Sequence, residues 1–316
     1  MERERPLIKS PVFLVGAERS GTTMLRLMLS HHPQIAFGGE FEFVVDAIGA
    51  DGRFPDLDSF IDVLRRDRVF PHFRVELRHQ PDFARQVDDI LDQKRQGRDV
   101  AVLGATVHRH FDRLLRIWPD ARFLHIVRDG RDVALSTIPM GWAGNAYSGI
   151  ERWIEAEALW AQLAASLPPE RFTTIRYETL ISDPPTELAR ICGFLGVPYD
   201  PAMLSYDGSS TYSKPNARSI GNWRKADPAV IAAAESRAAP WLEANGYALS
   251  GPVSPPSPLR RLGFKAENRV KIAWFRFRRY GPRLWLEDMV SRRIGPRGWR
   301  HAVQRQVVKV DDRFVK

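Results

Sequence analysis

The chain has 316 residues, of which 44% are hydrophobic and 10% aromatic, and this composition excludes a disordered or fibrous protein. Its one cysteine, Cys192, excludes a disulfide framework and a thiolate zinc site. No apolar run approaches the roughly 20 residues that a membrane span needs. The segment Met1–Ser10 is too charged for a secretory signal peptide. We therefore expect a cytoplasmic protein.

The net charge of +9 is concentrated in the C-terminal part of the chain. Residues 259–316 hold 17 Lys and Arg against 5 Asp and Glu, so the preceding residues carry a small negative charge. A protein that bound nucleic acid over its whole surface would not place the imbalance in one terminal segment. We expect no nucleic-acid partner, and instead a local patch for an acidic partner or surface.

In chain order, the first predicted element is a strand over residues 11–16, PVFLVG, followed by a tight loop and a helix that His32-Pro33 ends. Three further apolar runs predict strands, and helical stretches lie between them. The predicted strands are Val100–Leu103, Arg122–Val127 and Phe172–Arg176, and the predicted helices are Phe111–Ile117, Gly149–Leu167 and Pro185–Leu195. The strand runs are continuously apolar, as in a parallel sheet covered on both faces. This order predicts an α/β fold with a P-loop-like open, mostly parallel sheet flanked by helices.

Beyond Tyr206 the pattern changes to DGSSTYSKPNARSIGNWRKADP, which predicts an ordered or semi-ordered loop before a helix near Pro228–Asn245. Four prolines in residues 251–258 predict a stiff linker. After it, apolar residues recur at spacings of 3 and 4 among arginines and lysines, which predicts a basic amphipathic helix. We therefore predict an α/β domain over residues 1–250, a linker over 251–258 and a basic helical tail over 259–316.

The first loop has the glycine spacing of an anion-binding loop. Gly16 and Gly21 are separated by four residues, after a strand and before a helix. In this geometry backbone N–H groups and the helix N-terminus point at one concavity, where a phosphate or sulfate is stabilised. The hydroxyls of Ser20, Thr22 and Thr23 add donors. A lone GxxxxG is more often only a turn, but the flanking Arg-Ser and Thr-Thr favour the anion site.

This loop lacks the lysine of phosphoryl-transferring P-loops. Thr22 occupies the position where such loops place lysine, and the cation Arg19 lies three residues earlier. Magnesium would also need an aspartate at the end of a neighbouring strand, but RFLHIV is followed first by Arg128 and only then by Asp129. The residues favour a metal-free reaction on an anionic group.

A second anion site is predicted around RFLHIVRDGRDVALS. Arg128 follows a strand, and Ser136 lies about two turns into the next helix. Ligands of open α/β sheets bind at the carboxyl ends of strands, where a guanidinium fork and a hydroxyl suit a phosphate. The alternative is a surface ion-pair cluster of Asp129, Arg131 and Asp132. Two anion sites in one chain favour the phosphate.

The segments GAERSGTTMLRLMLSHHP and RFLHIVRDGRDVALS together resemble the two cofactor segments of sulfotransferases that use 3′-phosphoadenosine 5′-phosphosulfate (PAPS). In that family the first loop binds the 5′-phosphosulfate end, and the arginine and serine bind the 3′-phosphate. The resemblance therefore implies that Arg128 and Ser136 bind the 3′-phosphate. It implies the following residues at the phosphosulfate: Arg19, Ser20, Gly21, Thr22 and Thr23.

Two later segments extend the resemblance to about Pro11–Asn245, so that it implies a sulfotransferase-like domain over residues 1–250. IRYETLISDPPTELARICGFLGVP is similar to a family segment with Tyr177 near the cofactor. KPNARSIGNWRK is similar to the closing loop of the family, in which Lys214 approaches the 5′-phosphate. The implied activity is transfer of a sulfuryl group from PAPS to an acceptor hydroxyl, without a metal.

Among branches of the family, RSGTT…HPQIAFGGEFEF most resembles tyrosylprotein sulfotransferases and their bacterial relatives. Their catalytic base is a glutamate that falls on Glu40 here. One departure is Ala105, at a position where related enzymes often carry lysine. The resemblance then leaves transition-state stabilisation to Arg19, His108 or Arg109.

Two interpretations from other classes remain open at this point. One is a P-loop nucleotide kinase or ATPase, which the missing lysine disfavours. The other is a non-catalytic nucleotide-binding adaptor at a membrane, whose tail makes the contact. The aromatic and basic residues of 259–316 fit either an anionic membrane or packing on the core or a partner subunit. The sequence leaves the acceptor open among small molecules, sugars, lipids and peptides.

Overall fold

A computed structural model describes residues 6–206 and 219–313 of the chain. The chain forms two compact units. The first consists of Met1–Asp129 and Arg152–Asn222, and the second consists of Gly130–Glu151 and Trp223–Lys316. The strands are β1 (Val12–Val15), β2 (Ile35–Glu40), β3 (Val102–Val107), β4 (Arg122–Val127) and β5 (Phe172–Arg176). The helices are α1 (Thr22–Ser30), α2 (Glu42–Val45), α3 (Leu57–Leu64), α4 (Phe70–Phe73), α5 (Phe83–Asp92), α6 (Gly130–Thr137), α7 (Ala146–Gly149), α8 (Glu151–Ser166), α9 (Tyr177–Ser182), α10 (Pro184–Leu195), α11 (Pro228–Ala244), α12 (Pro258–Ile294) and α13 (Arg297–Asp312).

The first unit is built on a five-stranded sheet with the order β2-β3-β1-β4-β5. Every pairing is parallel, and the central strand β1 pairs with β3 on one side and β4 on the other. Helices cover both faces, so the predicted α/β class with an open parallel sheet is confirmed. The order places the end of β1 where successive connections run to opposite sides of the sheet, which is where such folds bind ligands.

Alternate residues of the central strand β1 pack into two separate cores. Phe13 and Val15 of β1 lie in an aromatic-rich core that also contains Phe41, Phe73 and Trp118. In contrast, the opposite face of the sheet buries aliphatic side chains against α1, α9 and α10, and its members from β1 and β4 are Val12, Leu14, Leu124 and Ile126. Because both faces of β1 and β4 are buried, these two strands are mostly apolar, as expected for the inner strands of a covered parallel sheet.

The predicted strands at Arg122–Val127 and Phe172–Arg176 match β4 and β5. The strand predicted at Val100–Leu103 instead runs over Val102–Val107, and the helix predicted at Phe111–Ile117 is a 3-10 helix over Phe111–Arg116. The edge strand β2 was not predicted, because its sequence IAFGGE contains two consecutive glycines, which weaken a strand pattern.

The second unit contains α6, α7, α11, α12 and α13. Its segments begin at Gly130 and Trp223, whereas the sequence predicted domain boundaries at residues 250 and 258. Its interior holds a buried ion pair in which Arg131 donates to Glu235 at 2.6 Å and to the Ala248 carbonyl at 2.9 Å. A kink at Gly281 (φ 76°) interrupts α12. None of the described helices combines the length and the apolar character needed to cross a bilayer.

Candidate active site

The loop between β1 and α1 packs directly on its neighbours through two glycines. Gly16 has φ 144°, and a Cβ there would lie 2.3 Å from the Ile126 carbonyl oxygen of β4. Gly21 has φ 95°, and a Cβ there would lie 2.5 Å from the ring of Tyr177. Both glycines are therefore required by backbone conformation and by space. The spacing that the sequence analysis singled out has a structural role at each end of the loop.

The helix that follows this loop begins at a glycine, which has no side chain to cap it. Gly21 is the N-cap residue of α1, and no side chain of the described residues caps the helix there. The first N–H groups of a helix have no intrahelical partner and carry its positive dipole end, so they stabilise a bound anion. Arg19, just before them, has an exposed side chain and a left-handed backbone (φ 71°). Such strain in a non-glycine residue is concentrated at functional sites.

The side chains of this loop differ in their access to a ligand. The Ser20 amide donates to the Ala17 carbonyl at 3.2 Å, and the Ser20 hydroxyl is buried with no partner among the described residues. Thr22 is buried as well, whereas Thr23 is half-buried and Arg19 is exposed. Of the predicted loop donors, the backbone N–H groups at Gly21 to Thr23 and the Arg19 side chain are therefore the best placed for an anion.

Arg128 connects the end of β4 to this loop. Its guanidinium donates to the Arg19 carbonyl (3.2 Å) and the Ser219 carbonyl (2.7 Å), and it stacks on the Tyr177 ring with its Cζ 4.5 Å from the ring centroid. Its Nε is buried and has no hydrogen-bond partner in the part of the chain that the structure describes. Trp153 fixes the backbone by donating to the Arg128 carbonyl at 3.0 Å.

Tyr177, the first residue of α9, holds these parts together. Its ring lies against Gly21 on one side and under Arg128 on another, and its hydroxyl forms a 2.8 Å hydrogen bond with the Ser219 hydroxyl. The predicted residues Arg19, Gly21, Arg128 and Tyr177 thus form one cluster in the first unit. The N-terminus of α1, the Nε–H of Arg128 and the exposed Arg19 side chain all supply hydrogen-bond donors, and they fit an anionic ligand.

Glu40 is the last residue of β2, and its side chain is exposed. The register pairs it with Thr106 of β3 after an irregularity that begins at Phe37. The Thr106 hydroxyl is buried with no partner within the described ranges. Glu40 therefore lies at the carboxyl edge of the sheet, where its carboxylate is open to solvent or to a substrate.

A second carboxylate, Glu42, forms a buried network that the sequence analysis did not identify. One Glu42 oxygen accepts the His108 backbone N–H at 2.9 Å, and His108 Nδ1 donates to the Gly16 carbonyl at 2.9 Å. The network thereby connects α2 with the end of β3 and with the anion-binding loop. Desolvation raises the pKa of Glu42 and the charge of nearby Glu40 adds to the rise, although His108 opposes it.

We expect the variant Glu42→Gln to become more stable, relative to the parent, as the pH rises. Between the ordinary glutamate pKa of 4.5 and the raised value, the folded parent keeps a proton that the unfolded chain releases. The parent therefore loses stability as the pH rises through this window, and the neutral glutamine does not. Thermal melts of both proteins from about pH 4 to pH 8 measure the difference. The exposed Glu155→Gln serves as control, and a parallel pH dependence of parent and Glu42→Gln would contradict the assignment.

The sequence model of the sulfotransferase family matches residues 11–201, which include the loop, Glu40, Arg128 and Tyr177. The chain belongs to the sulfotransferase family. This assignment confirms the resemblance drawn from the two cofactor segments.

Curated relatives of this chain act on different molecules, according to their names. A protein-tyrosine sulfotransferase of Drosophila melanogaster is 25% identical over 235 residues, covering 72% of this chain and 45% of the relative. Protein-tyrosine sulfotransferase 2 of Gallus gallus is 24% identical, covering 72% of this chain and 61% of the relative. An omega-hydroxy-beta-dihydromenaquinone-9 sulfotransferase of Mycobacterium tuberculosis is 24% identical, with 61% and 64% covered. The chain thus spans about half to two thirds of these relatives.

Among solved structures, the sulfotransferase domain of the Synechococcus PCC 7002 olefin synthase is similar in fold. It has a TM-score of 0.57 and 19% sequence identity, and the match covers 79% of this chain and all of that domain. This likeness agrees with the open parallel α/β sheet described above and with the family assignment.

Arg109 and His108, two candidates for stabilising the transition state, already have other hydrogen-bond partners. Arg109 forms a bidentate ion pair with Asp46, with N–O distances of 2.9 and 2.5 Å, and this partner raises the pKa of Arg109. His108 is engaged with the loop carbonyl, as described above. Ala105, at the position where related enzymes often carry lysine, is fully buried in the aromatic-rich core. These contacts favour Arg19 over Arg109 and His108.

The remaining predicted site residues lie outside this cluster or outside the described residues. Ser136 is a half-buried residue of α6 in the second unit, and its place at the 3′-phosphate stays a prediction. Lys214 falls in residues 207–218, which the structure does not describe. Within residues 6–206 and 219–313, no group of three or more His, Cys, Asp or Glu side chains is placed to hold a metal ion.

Proposed function

We propose that this sulfotransferase transfers a sulfuryl group from PAPS to an acceptor hydroxyl, with Glu40 as general base and without a divalent metal. The observation that carries the proposal is the cluster at the end of β1, where the uncapped α1 N-terminus, Arg19 and Arg128 are joined through Tyr177. This cluster offers donors for anionic groups at two places, and the chain belongs to a family named for the reaction.

Different residues of the cluster would bind different ends of PAPS. When bound, PAPS supplies the sulfuryl group and a phosphate leaving group. The backbone N–H groups at the start of α1 would hold the 5′ end, and Arg19 would stabilise the charge that develops on the oxygen between sulfur and phosphorus. Arg128, whose buried Nε has no hydrogen-bond partner among residues 6–206 and 219–313, would bind the 3′-phosphate. Positioning and electrostatic stabilisation then carry most of the catalysis, as in phosphoryl transfer.

Glu40 is suited to take the proton of the acceptor hydroxyl. It is exposed at the carboxyl edge of the sheet, whereas Glu42 is buried and directs one oxygen at the His108 amide. A base must reach the proton that it removes, and only the exposed carboxylate of this pair is accessible to a substrate. Desolvation, with a smaller contribution from the charge of Glu40, raises the pKa of Glu42, so accessibility rather than basicity distinguishes the two carboxylates.

The rival function, phosphoryl transfer by a nucleotide kinase, requires a lysine in this loop. Thr22 occupies that position and is buried, and Arg128 rather than an acidic residue follows β4 directly. A loop without lysine lacks the cation that contacts the β- and γ-phosphates of a nucleoside triphosphate. Sulfuryl transfer needs no such contact, so it fits these residues better.

The direct test is a transfer assay with the full chain and PAPS. Acceptors should include a tyrosine peptide, a long-chain alcohol, a simple sugar and a phenol, since the named relatives act on protein tyrosine and on a menaquinone derivative. Mass spectrometry then detects a product heavier by one sulfuryl group. In parallel, calorimetry measures binding of adenosine 3′,5′-bisphosphate (PAP), the desulfated product. Failure to bind PAP would overturn the proposal, whereas binding without transfer would show that the acceptor class is still missing.

We expect EDTA to leave both PAP binding and turnover unchanged. The donors of the cluster are backbone N–H groups and arginines, which neutralise negative charge directly and need no bridging cation. Initial rates with EDTA, with added magnesium and with neither should therefore agree. A rate that falls on chelation and recovers with magnesium would contradict the metal-free reaction and revive the kinase-like interpretation.

A further inference from the structure

The first part of α12, residues 258–280, exposes a continuous apolar surface, which we call the apolar stripe. Its residues follow one another at spacings of three and four: Leu259, Leu262, Ala266, Val270 and Trp274. At about 100° per residue these positions fall within an arc of about 120° on one side of the helix. All five are exposed, and the exposed fraction is 80% for Leu259 and 59% for Trp274.

The opposite side of the helix already has its packing partners within the second unit. Phe264 stacks on Tyr147 with ring centroids 4.8 Å apart, and Asn268 accepts the Gly144 backbone N–H at 2.6 Å. Phe275 lies against Gly141, where a Cβ would come within 2.2 Å of its ring. The helix is therefore anchored by one face, and the apolar stripe is not part of that contact.

Basic residues border the apolar stripe on both sides. Arg269 and Arg276 lie along one border and Arg260 and Arg278 along the other, and all four are exposed. Between Pro258 and Gly281 the sequence holds eight Lys and Arg and a single acidic residue, Glu267. That glutamate is paired with Lys271 at 2.6 Å. The stripe is thus an apolar surface surrounded by positive charge.

We propose that the apolar stripe docks on an anionic membrane surface. Its apolar side chains would enter the boundary between headgroups and acyl chains, and the bordering arginines would reach the acidic headgroups. A second copy of the chain fits less well, because a symmetric contact would bring the same rows of arginines against each other. Tryptophan is also the side chain that suits a membrane interface, with an apolar ring and a polar N–H.

The test is co-sedimentation of the full chain with vesicles of phosphatidylcholine alone and of phosphatidylcholine with phosphatidylglycerol. We expect binding to the acidic vesicles that weakens at high salt, since screening removes the attraction between surface charges. Leu262→Asp and Trp274→Ala should each weaken binding at least about tenfold, which is the scale for losing one large apolar side chain. Val63→Asp, at a residue 51% exposed in the first unit, is the matched control. It should bind as the parent does.

Labelling locates the contact and does not depend on the stability of these variants. The native Cys192 is buried, so Val270→Cys offers one accessible thiol for an environment-sensitive fluorophore. We expect a blue shift on adding acidic vesicles, and no shift for Val63→Cys. Equal binding to neutral vesicles, unchanged binding of both stripe variants, or no shift at position 270 would each overturn the proposal. So would light scattering that shows a parent dimer which Leu262→Asp dissociates, because the stripe would then be a subunit interface.

Discussion

Replacing Glu40 with glutamine is expected to lower kcat by a factor of roughly 10² to 10⁴, which is the usual contribution of a general base. The amide has the size of the carboxylate but does not accept a proton from the acceptor hydroxyl. Because Glu40 is exposed at the end of β2 and is not in the loop cluster, PAP affinity should change little. Initial rates at saturating PAPS and calorimetry with PAP measure the two effects separately.

Two control variants make the Glu40 experiment specific. Glu155→Gln changes an exposed carboxylate of α8 and should retain the parent rate. Glu42→Gln separates the two neighbouring carboxylates, since glutamine still accepts the His108 N–H through its carbonyl oxygen. If Glu42→Gln loses turnover while Glu40→Gln keeps it, the base is Glu42 and our assignment is wrong.

Replacing Arg128 with alanine should weaken PAP binding by roughly 10- to 100-fold, because hydrogen bonds to charged groups contribute about 1.5–3 kcal/mol. The change removes a fork that already contacts the Arg19 carbonyl and the Tyr177 ring, so the loop also loses a support. Calorimetry should show the loss for PAP. Adenosine 5′-phosphate, which has no 3′-phosphate, should bind the parent and the variant with more similar affinities.

Further variants distinguish a phosphate contact from general damage to the fold. Arg128→Lys keeps the charge but not the planar fork, so its PAP affinity should lie between those of the parent and the alanine variant. Arg66→Ala removes an exposed arginine of the first unit whose partner, Asp62, is 3.6 Å away, and should change nothing. If Arg128→Ala binds PAP as tightly as the parent, the donor site that we propose does not exist.

The strands could be predicted where apolar and β-branched residues dominate a run and could not where glycine interrupts it. RFLHIV and FTTIR are mostly apolar or β-branched and contain no glycine, and they became β4 and β5 with the predicted bounds. β2 was not predicted because Gly38 and Gly39 interrupt its apolar run after three residues. Gly38 is needed there, since a Cβ would lie 2.5 Å from the Phe73 ring. That ring comes from a helix more than thirty residues later in the chain, so sequence spacing carried no sign of the contact.

The site was predictable where it depends on neighbours in sequence. The loop, its cation Arg19 and the arginine after β4 all follow from strand ends and local spacing. His108 is 66 positions from Glu42 and 92 positions from Gly16 in the sequence. The hydrogen bonds between them therefore could not be predicted from a local sequence pattern. In the tail, periodicity predicted the amphipathic helix but not which side packs, because both the Phe264 side and the Leu262 side carry apolar residues.

The close approach of Tyr177 to Gly21 limits which substitutions the chain tolerates. The phenol ring fills the volume that a methyl group on residue 21 would need, since that Cβ would lie 2.5 Å from the ring. Any side chain introduced at position 21 would displace the Tyr177 ring, on which the Arg128 guanidinium stacks. Two positions 156 residues apart therefore constrain each other sterically. One added carbon atom at the turn would therefore disturb both the start of α1 and the position of the Arg128 side chain.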